Sequence, residues 1–421
     1  MTTKEENERL CLVDDGTEMG TLFRHYWLPI ALHEELPEAD CPPIRVDLLG
    51  EELVAFRDSN GVVGLIDAHC PHRNAPLFFG RNEECGLRCV YHGWKFDLAG
   101  ECVDMPSEPD YSKFKLTIKI KAYPTWEGGG LIWAFLGAED AVPPKPNYEW
   151  IGVPDTHRSV GKALEDCNYL QCVEGGIDTA HSSFLHRRFG KEPGLRERDK
   201  HPKIELEMTD FGMHCASLRE VGDGRTYVRV TNYLMPSMNN FGQLIDDFGN
   251  RTPAPMATSL FWVPMDNTTT AIYNVSYRLD GQPLAPGAAE DHVGRFGIAA
   301  ADRIPGTYWN KANRSNDYLI DREAQRTKSY TGIEGIGIQD YAVQEGMGKI
   351  TDRSTEHLGS SDTAIIAARE LLLEAMDEVK SGKVPKGVDP AAQRRVRPAD
   401  KFLDPGMKWR EAVADELYAL V

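Results

Sequence analysis

Two cysteine–histidine pairs have the composition of a metal site. One residue separates Cys70 from His72, two separate Cys89 from His92, and sixteen lie between the pairs. Short apolar runs bounded by turn residues adjoin both pairs, which predicts that each pair occupies the tip of a hairpin. Zinc sites usually place two cysteines at one end and two histidines at the other, and zinc is the alternative. Because each loop supplies one of each, the pattern favours a [2Fe-2S] cluster with two thiolates on one iron and two imidazoles on the other.

This spacing resembles that of the Rieske proteins, whose pattern is Cys-x-His followed by Cys-x2-His. Respiratory members carry one further cysteine in each loop and join the two in a disulfide; here those positions hold other residues. The missing disulfide, and Trp94 where a hydroxyl would stand, remove hydrogen bonds to sulfur and lower the reduction potential. The resemblance therefore implies the low-potential oxygenase type. Asn74 stands where such loops commonly carry glycine, and asparagine is the next best residue for left-handed backbone.

A second group offers a carboxylate and two imidazoles within nine residues, namely Asp178, His181 and His186. Residues five apart in a regular helix lie about 140° apart around its axis. The two histidines can therefore share a metal only if the helix ends or bulges near Ser182 and Ser183. A histidine pair at this spacing is a weak signal by itself, and a purely structural role is the alternative.

With the upstream pairs, the pattern Asp-x2-His-x4-His resembles the catalytic domain of the Rieske non-haem iron oxygenases. The resemblance implies that His181 and His186 hold one Fe(II) together with a distant carboxylate, in the facial triad that leaves positions open for O2. Asp340 is the best match for that carboxylate. The family resemblance also implies that Asp178 links a Rieske histidine of one subunit to an iron-ligating histidine of the next. The chain would then form a trimer or a stacked hexamer. The nearby acidic rivals of Asp340 are Asp317, Asp321 and Glu334.

Turn spacing divides the chain into two domains. Residues 1–145 are predicted to form an N-terminal segment and an all-β Rieske domain with its core at about 25–135, because short strands alternate with glycine, asparagine and proline turns. A proline-rich stretch at 142–147 marks the boundary. Residues 146–421 are predicted to form the catalytic domain.

The catalytic domain carries both helical and strand patterns. Residues 162–186 are predicted to be helical, whereas 227–234 and 270–277 alternate as strands do. The fold class is therefore α+β, and the resemblance implies an antiparallel sheet flanked by helices, of the helix-grip or START-like type. A further helix is predicted from a cap at Ser361-Asp362 to Gly382, and 384–399 is expected to be an exposed arm.

Composition limits the partners and the compartment. The 421 residues carry a formal charge of −18, which disfavours nucleic acid because phosphate binding needs a basic surface. The charged N-terminus and the lack of a long apolar run predict neither a leader nor a membrane span. Nine irregularly placed cysteines favour a reducing cytoplasm. Neither a dinucleotide-binding nor a plant-type ferredoxin motif is present, so a separate NAD(P)H-dependent flavin/iron–sulfur reductase is required.

The stretch around His181 and His186, with the long tail after Asp340, most resembles the phthalate dioxygenase group, whose oxygenases have one subunit type. That resemblance implies a terminal oxygenase that uses O2 to dihydroxylate an aromatic carboxylate, either phthalate-like or a substituted benzoate. The alternative reaction is monooxygenation with O-dealkylation or ether cleavage of an aromatic acid. A simple ferredoxin is disfavoured by the length of the chain and by the second histidine pair.

An anionic substrate needs a guanidinium in an otherwise apolar pocket, because arginine can hold a carboxylate with two parallel hydrogen bonds. Arg229 is the candidate, since it alternates with valines in a predicted strand; a surface position in an antiparallel sheet is the alternative. Four further residues at the end of that strand are expected to line the same cavity, with core packing as their alternative: Met235, Met238, Asn239 and Phe241.

Overall fold

The computed structural model describes residues 2–190, 194–222, 224–246, 248–394 and 396–419. Two short helices, α1 (Lys4–Cys11) and α2 (Glu18–Phe23), come first. An N-terminal β region follows, and then a larger region built on one wide sheet. None of the helices within the described ranges is long and apolar enough to cross a membrane.

The N-terminal β region consists of small antiparallel sheets. Their orders are β1-β13-β12, β10-β9-β8-β7, β11-β4-β3-β2 and the pair β5-β6. The strands are β1 (Leu28–Leu32), β2 (Ile44–Leu48), β3 (Glu51–Arg57), β4 (Val63–Asp67), β5 (His69–Cys70), β6 (Ala75–Pro76), β7 (Arg81–Glu83), β8 (Gly86–Arg88), β9 (Lys95–Phe96), β10 (Cys102–Asp104), β11 (Ala122–Tyr123), β12 (Thr125–Gly128) and β13 (Leu131–Ala134).

The two Cys-His loops lie at strand ends, as predicted. Strand β5 contains Cys70 and turns back into β6, and Cys89 directly follows β8. Asn74 has a φ of +55° and donates its backbone N–H to the Cys70 carbonyl at 2.8 Å. The predicted left-handed conformation of Asn74 is therefore confirmed, and it closes the first loop.

An antiparallel eight-stranded sheet forms the centre of the second region. Its order is β14-β20-β19-β18-β17-β16-β15, and β21 also pairs with β17. The predicted α+β class, with helices flanking an antiparallel sheet, is confirmed. The elements are β14 (Arg158–Glu165), α3 (Tyr169–Ile177), α4 (Leu195–Arg198), β15 (Lys203–Met208), β16 (Gly212–Glu220), β17 (Thr226–Leu234), β18 (Met238–Ile245), β19 (Arg251–Pro264), β20 (Thr270–Arg278), α5 (Ala288–Arg295), α6 (Arg322–Thr327), α7 (Ile336–Gly346), α8 (Thr363–Lys380), α9 (Pro390–Gln393), β21 (Ala399–Leu403) and α10 (Trp409–Val413).

The prediction of one helix over residues 162–186 is wrong in part. Residues up to Glu165 belong to the edge strand β14, whose side chains alternate between half-buried and buried, as in a strand with one covered face. The helix α3 begins only after Asn168, whose side chain accepts the backbone N–H of Leu170. Eight backbone partners on β20 outweigh the helical propensity of Ala163 and Leu164.

The C-terminal predictions have mixed outcomes. Helix α8 is confirmed at Thr363–Lys380, and Gly382 follows it with a φ of +79°. The exposed arm expected at 384–399 is wrong. Gln393 is buried, donating to the Gly387 carbonyl and accepting from the Asn147 N–H, and the chain then enters β21. These hydrogen bonds hold the segment on the body of the protein.

A buried ion cluster ties α3 to its neighbours. The Glu174 carboxylate accepts bonds from Arg353 at 2.9 Å and from Arg369 at 2.7 Å. Arg353 also donates to the Asn7 side chain of α1. Burial alone would raise the pKa of Glu174, but the two guanidinium groups outweigh burial and lower it.

We predict that Glu174→Gln lowers stability. Removing one member of a buried ion cluster leaves uncompensated charge and costs about 3–5 kcal/mol. Because the folded-state pKa of Glu174 is lowered, its contribution is full above the unfolded pKa of about 4.3 and is lost as the pH falls through the folded value. Thermal unfolding at neutral pH checks the loss. Glu411→Gln, at an ion pair whose side chains are 80% and 72% exposed, is the control; equal small effects would contradict the prediction.

Candidate metal centres

The four ligand candidates of the first motif meet in the N-terminal β region. Cys70 and Cys89 are buried, and the rings of His72 and His92 lie 4.4 Å apart between centroids. Burial, together with the neighbouring Cys89, raises the pKa of Cys70 to about 12. A protein without a metal would keep this thiol protonated, whereas a bound cation deprotonates a coordinating thiol outright.

One buried nitrogen without a hydrogen-bond partner indicates that these residues fit a [2Fe-2S] cluster. His72 Nδ1 is buried and has no hydrogen-bond partner within the described ranges. Buried polar nitrogens nearly always have a partner, and a metal ion is one explanation for an exception. Two thiols and two imidazoles converging on one space are also the donor set of a Rieske cluster. The residues present therefore fit the group.

Trp94 contacts two of the four ligand candidates, His72 and Cys89. Its indole stacks on the His72 ring at 4.5 Å with an interplanar angle of 10°. The indole N–H donates to Ser107 Oγ at 3.0 Å, and the backbone carbonyl accepts from the Cys89 N–H at 2.8 Å. Trp94 therefore fixes one imidazole and one cysteine at the same time. His92, on the other side, lies beside the half-exposed Tyr91.

The structure brings His181, His186 and Asp340 together. Their ligand atoms all lie within 4.8 Å of one another. Nε2 of His181 is 3.2 Å from Nε2 of His186, and the Asp340 Oδ1 lies 3.4 Å from His186 and 3.7 Å from His181. Two imidazoles and one carboxylate around a common point form the donor set of a facial triad. The residues fit a mononuclear iron.

Local chain geometry explains how histidines five apart can meet. Helix α3 ends at Ile177, and Asp178 Oδ1 accepts the Ala180 N–H at 2.7 Å. A single 3₁₀ turn over His181–Ser183 follows. The regular helix thus stops before the first histidine, earlier than the break expected near Ser182.

The three other acids considered as the carboxylate ligand do not join the two histidines. Asp321 caps α6 by accepting the backbone N–H groups of Glu323 and Ala324. Asp317 lies in a left-handed turn at a φ of +50°. Glu334 lines the nearby cavity, but its side chain is 90% exposed and is 3.7 Å from Arg188.

Each histidine of the triad has a partner on its other ring nitrogen. The Nδ1 of His181 is 3.3 Å from Asp178 Oδ2, and the Nδ1 of His186 is 2.7 Å from Gln339 Oε1. The Gln339 amide in turn donates to the Ile333 carbonyl at 2.8 Å, so its oxygen faces the ring and accepts from it. Such contacts fix the tautomer and orientation of ligating imidazoles. Sequence reasoning missed Gln339, although it adjoins Asp340.

The pKa values of the triad show that burial disfavours the charged forms of its side chains. Burial and the nearby Asp178 raise the pKa of Asp340 to about 6, against the lowering effect of His181. Burial and the nearby His181 lower the pKa of His186 to about 4. Burial also works against a charged His181, but the carboxylates of Asp178 and Asp340 outweigh it and raise the pKa of His181. A bound cation would remove this conflict.

A buried arginine fixes the segment between Asp178 and His181. Arg219 on β16 is fully buried, and it donates to the Thr179 carbonyl at 3.0 Å and to its hydroxyl at 3.2 Å. Burial lowers the pKa of Arg219 to about 10. No local sequence pattern indicates this role, because Arg219 and Thr179 are far apart in the chain.

A cavity of about 600 Å³ opens beside the triad. Arg229 and Phe241 line it, as do the three triad side chains and three further arginines that sequence reasoning missed, Arg188, Arg196 and Arg295. The expectation that Met235, Met238 and Asn239 line this cavity is wrong. The two methionines are buried in the core, and the Asn239 amide donates to the Gly176 carbonyl beneath α3.

We predict that Gln339→Leu weakens mononuclear iron binding by about 10- to 100-fold, the usual effect of removing a partner of a ligating histidine. Iron retention during titration with a chelator, followed as iron per chain, measures the change. Gln282→Leu, at an exposed position after β20, is the control. Unchanged retention in Gln339→Leu would show that the Gln339 amide does not hold the ring.

Two protein-family models match the chain. The model described as "Rieske [2Fe-2S] domain" matches residues 26–124, and the model described as "LigXa C-terminal domain like" matches 134–419. Together they cover both metal centres. The division into 1–145 and 146–421 stays a prediction.

Curated relatives match the whole chain. The phthalate 4,5-dioxygenase oxygenase subunit of Pseudomonas putida is 36% identical, over 100% of this chain and 97% of its own length. The 3-chlorobenzoate-3,4-dioxygenase oxygenase subunit of Comamonas testosteroni is 35% identical over 100% of both chains. The 5,5'-dehydrodivanillate O-demethylase oxygenase subunit of a Sphingobium species is 32% identical, over 94% of this chain and 86% of its own length.

Solved structures share the fold. Pseudomonas putida CBB5 NdmA superposes with a TM-score of 0.62 at 19% identity, covering 91% of this chain and 98% of its own. Dicamba monooxygenase bound to dicamba superposes with a TM-score of 0.60 at 18% identity, covering 86% of this chain and 99% of its own. At these identities the likeness concerns the fold alone.

Proposed function

The chain belongs to the Rieske non-haem iron oxygenases, and we propose that it is a terminal oxygenase that dihydroxylates an aromatic carboxylate, phthalate-like or a substituted benzoate. Its cofactors are a Rieske [2Fe-2S] cluster and Fe(II). When bound, the cluster supplies single electrons from a separate NAD(P)H-dependent reductase, and the iron binds and activates O2. We propose Cys70, His72, Cys89 and His92 as ligands of the cluster. For the mononuclear iron we propose His181, His186 and Asp340.

The guanidinium groups of the cavity beside the triad carry the proposal of an anionic substrate. Among the described residues, four arginines and four carboxylates line the cavity, the carboxylates being Asp178, Glu197, Glu334 and Asp340. The whole chain has 47 Lys and Arg against 65 Asp and Glu, so the described cavity lining is less acidic than the chain as a whole. An aromatic acid can enter with its carboxylate toward the guanidinium groups and its ring toward apolar walls such as Phe241.

Arg229 is the best placed of these arginines. Its side chain is 15% exposed, and its Nη2 donates to the Gly242 carbonyl at 3.1 Å. Asp400 Oδ1 is 3.9 Å from Nε, beyond hydrogen-bond distance, and Nε has no acceptor within the described chain. The guanidinium is thus held in place; because Nε is buried, a carboxylate in the cavity would bind its terminal nitrogens Nη1 and Nη2.

The reactions of the relatives support two outcomes. Two relatives over the whole chain are named as dioxygenases of phthalate and 3-chlorobenzoate, which favours dihydroxylation. A third is named as an O-demethylase, so O-dealkylation or ether cleavage of an aromatic acid is the second candidate. All three names concern aromatic acids, which agrees with a cavity lined by arginines.

Asp178 is proposed as the bridge between subunits of a trimer or stacked hexamer. Its Oδ2 faces His181, and its side chain is 20% exposed, so a second imidazole can reach the carboxylate. A neighbouring subunit's cluster histidine bound there would be linked to the iron ligand through one carboxylate. We also propose a cytoplasmic location, which suits oxygen-sensitive cofactors and free thiols.

The proposed reaction is tested by substrate-dependent O2 consumption. With NADH and a compatible reductase, we expect a phthalate or a substituted benzoate to stimulate uptake. Mass analysis of the product after turnover in labelled O2 should find two label atoms in a dihydrodiol. One label atom and a released aldehyde would establish the dealkylation instead. No stimulation by any aromatic acid across phthalates, chlorobenzoates, methoxybenzoates and phenoxybenzoates would contradict both.

We predict that Arg229→Ala raises KM for the aromatic acid with little change in kcat. Hydrogen bonds to a charged group contribute about 1.5–3 kcal/mol, which corresponds to roughly a 10- to 150-fold rise. Steady-state kinetics measures it, with Arg225→Ala, at an exposed position outside the cavity lining, as control. An unchanged KM in Arg229→Ala would remove Arg229 from the binding site.

We predict that Asp178→Asn keeps both metal centres but slows electron transfer between them by orders of magnitude. The amide is neutral and cannot hold two imidazole N–H groups at once. Single-turnover oxidation of the reduced cluster measures the rate, and iron per chain verifies that the sites are filled. A wild-type rate in the variant would exclude the bridging role.

A further inference from the structure

Three ligand-type side chains meet at the junction of β14 and α3, apart from both metal centres described above. They are Glu165, Cys167 and Cys172, and all three are fully buried. One ligand atom from each lies within 4.8 Å of the others. Neither the family resemblance nor the proposed reaction uses them.

The two distances from Cys167 Sγ to its neighbours match the edges of a tetrahedron around a cation. The Sγ atoms of Cys167 and Cys172 are 3.7 Å apart, and Cys167 Sγ is 3.6 Å from Glu165 Oε1. With zinc–sulfur bonds of about 2.3 Å and zinc–oxygen bonds of about 2.0 Å, a tetrahedral site has S···S edges of about 3.8 Å and S···O edges of about 3.5 Å. The main-chain oxygen of Asn168, which also accepts the Gln171 N–H at 3.1 Å, is 3.7 Å from Cys172 Sγ and is the candidate for a fourth donor.

The buried carboxylate of Glu165 also points to a bound cation. Glu165 has no cationic partner among the ion pairs of the described residues, and its Oε2 has no hydrogen-bond partner there. A buried carboxyl oxygen without a partner is costly, and an ion is one of the few explanations for such an exception. Burial raises the pKa values of Glu165, to about 8, and of both thiols. A soft divalent cation would hold all three deprotonated.

We propose that Glu165, Cys167 and Cys172, with the Asn168 carbonyl, form a closed structural zinc site. Zinc suits this set because two thiolates and two oxygens at tetrahedral spacing are ligands that it accepts. The site fastens the end of β14 to the first turn of α3, the helix that ends at Asp178. All its donors come from the protein and none is exposed, so it is structural rather than catalytic.

The experiment measures metals in the full holoenzyme purified from cells grown with both iron and zinc. We expect about three irons and one zinc per chain by elemental analysis. X-ray absorption at the zinc edge should show two sulfur neighbours at about 2.3 Å and oxygen neighbours at about 2.0 Å. Wild-type protein with three irons and no fourth cation would overturn the proposal, whether or not any variant folds.

Variants identify the ligands. Cys167→Ala and Cys172→Ala should each lose the zinc and keep the iron, with a lower thermal midpoint. Cys215→Ala removes a buried thiol that forms no metal-ligand group with other Cys, His or acidic side chains of the described residues, and this variant should keep both metals. Zinc that leaves with His186→Ala and stays in Cys167→Ala would belong to the mononuclear site and would overturn the proposal. The metal count does not depend on turnover, so a failed search for a substrate would leave this result standing.

Discussion

The close approach of α3 to the elements around it is the constraint on which the catalytic region depends. A Cβ on Gly175 would lie 2.0 Å from the Gln344 amide of α7, and one on Gly176 would lie 2.0 Å from the Trp262 ring of β19. A side chain at Gly175 would have to displace the Gln344 amide, and one at Gly176 would have to displace the Trp262 ring. The two glycines therefore let α3 pack closely against α7 and the sheet at once, and the segment that follows α3, with His181 and His186, lies opposite Asp340.

That packing buries several ionisable groups. Their charges are neutralised in one place by other side chains and in another are not. Glu174 is neutralised by two arginines, which stabilises the middle of α3. The triad is left in conflict, because the pKa of His186 falls while that of Asp340 rises. A bound cation would therefore relieve the conflict in the triad beyond the end of α3, whereas within α3 the protein itself neutralises Glu174. Metal binding and local order are coupled at this point.

The parts of the molecule that the sequence predicts well are those set by short-range patterns. The two Cys-His loops, the left-handed Asn74 and the left-handed Gly382 after α8 all depend on residues within a few positions of one another. Asp340 is identified only through family resemblance, since its distance from His186 along the chain gives no local signal. The roles of Gln339 and Arg219 come from tertiary contacts, which no local pattern reveals. The propensity of Ala163 and Leu164 favours a helix, but the pairing with β20 overrides it. Met235 and Met238 are buried in the core, and strand alternation does not reveal which face of the sheet a helix covers.

The pairing of β21 with β17 has a consequence for the growing chain. Residues Thr226 to Val230 hydrogen-bond to β21 on the side that β18 leaves free, and Arg229 lies opposite Asp400 in that pairing. Until residues 399–403 have been synthesised, this half of β17 is an open edge, and open edges recruit strands from other molecules. Ribosome-bound intermediates and chains cleaved before β21 therefore share one vulnerable edge, and self-association there would bury the strand that carries the cavity arginine.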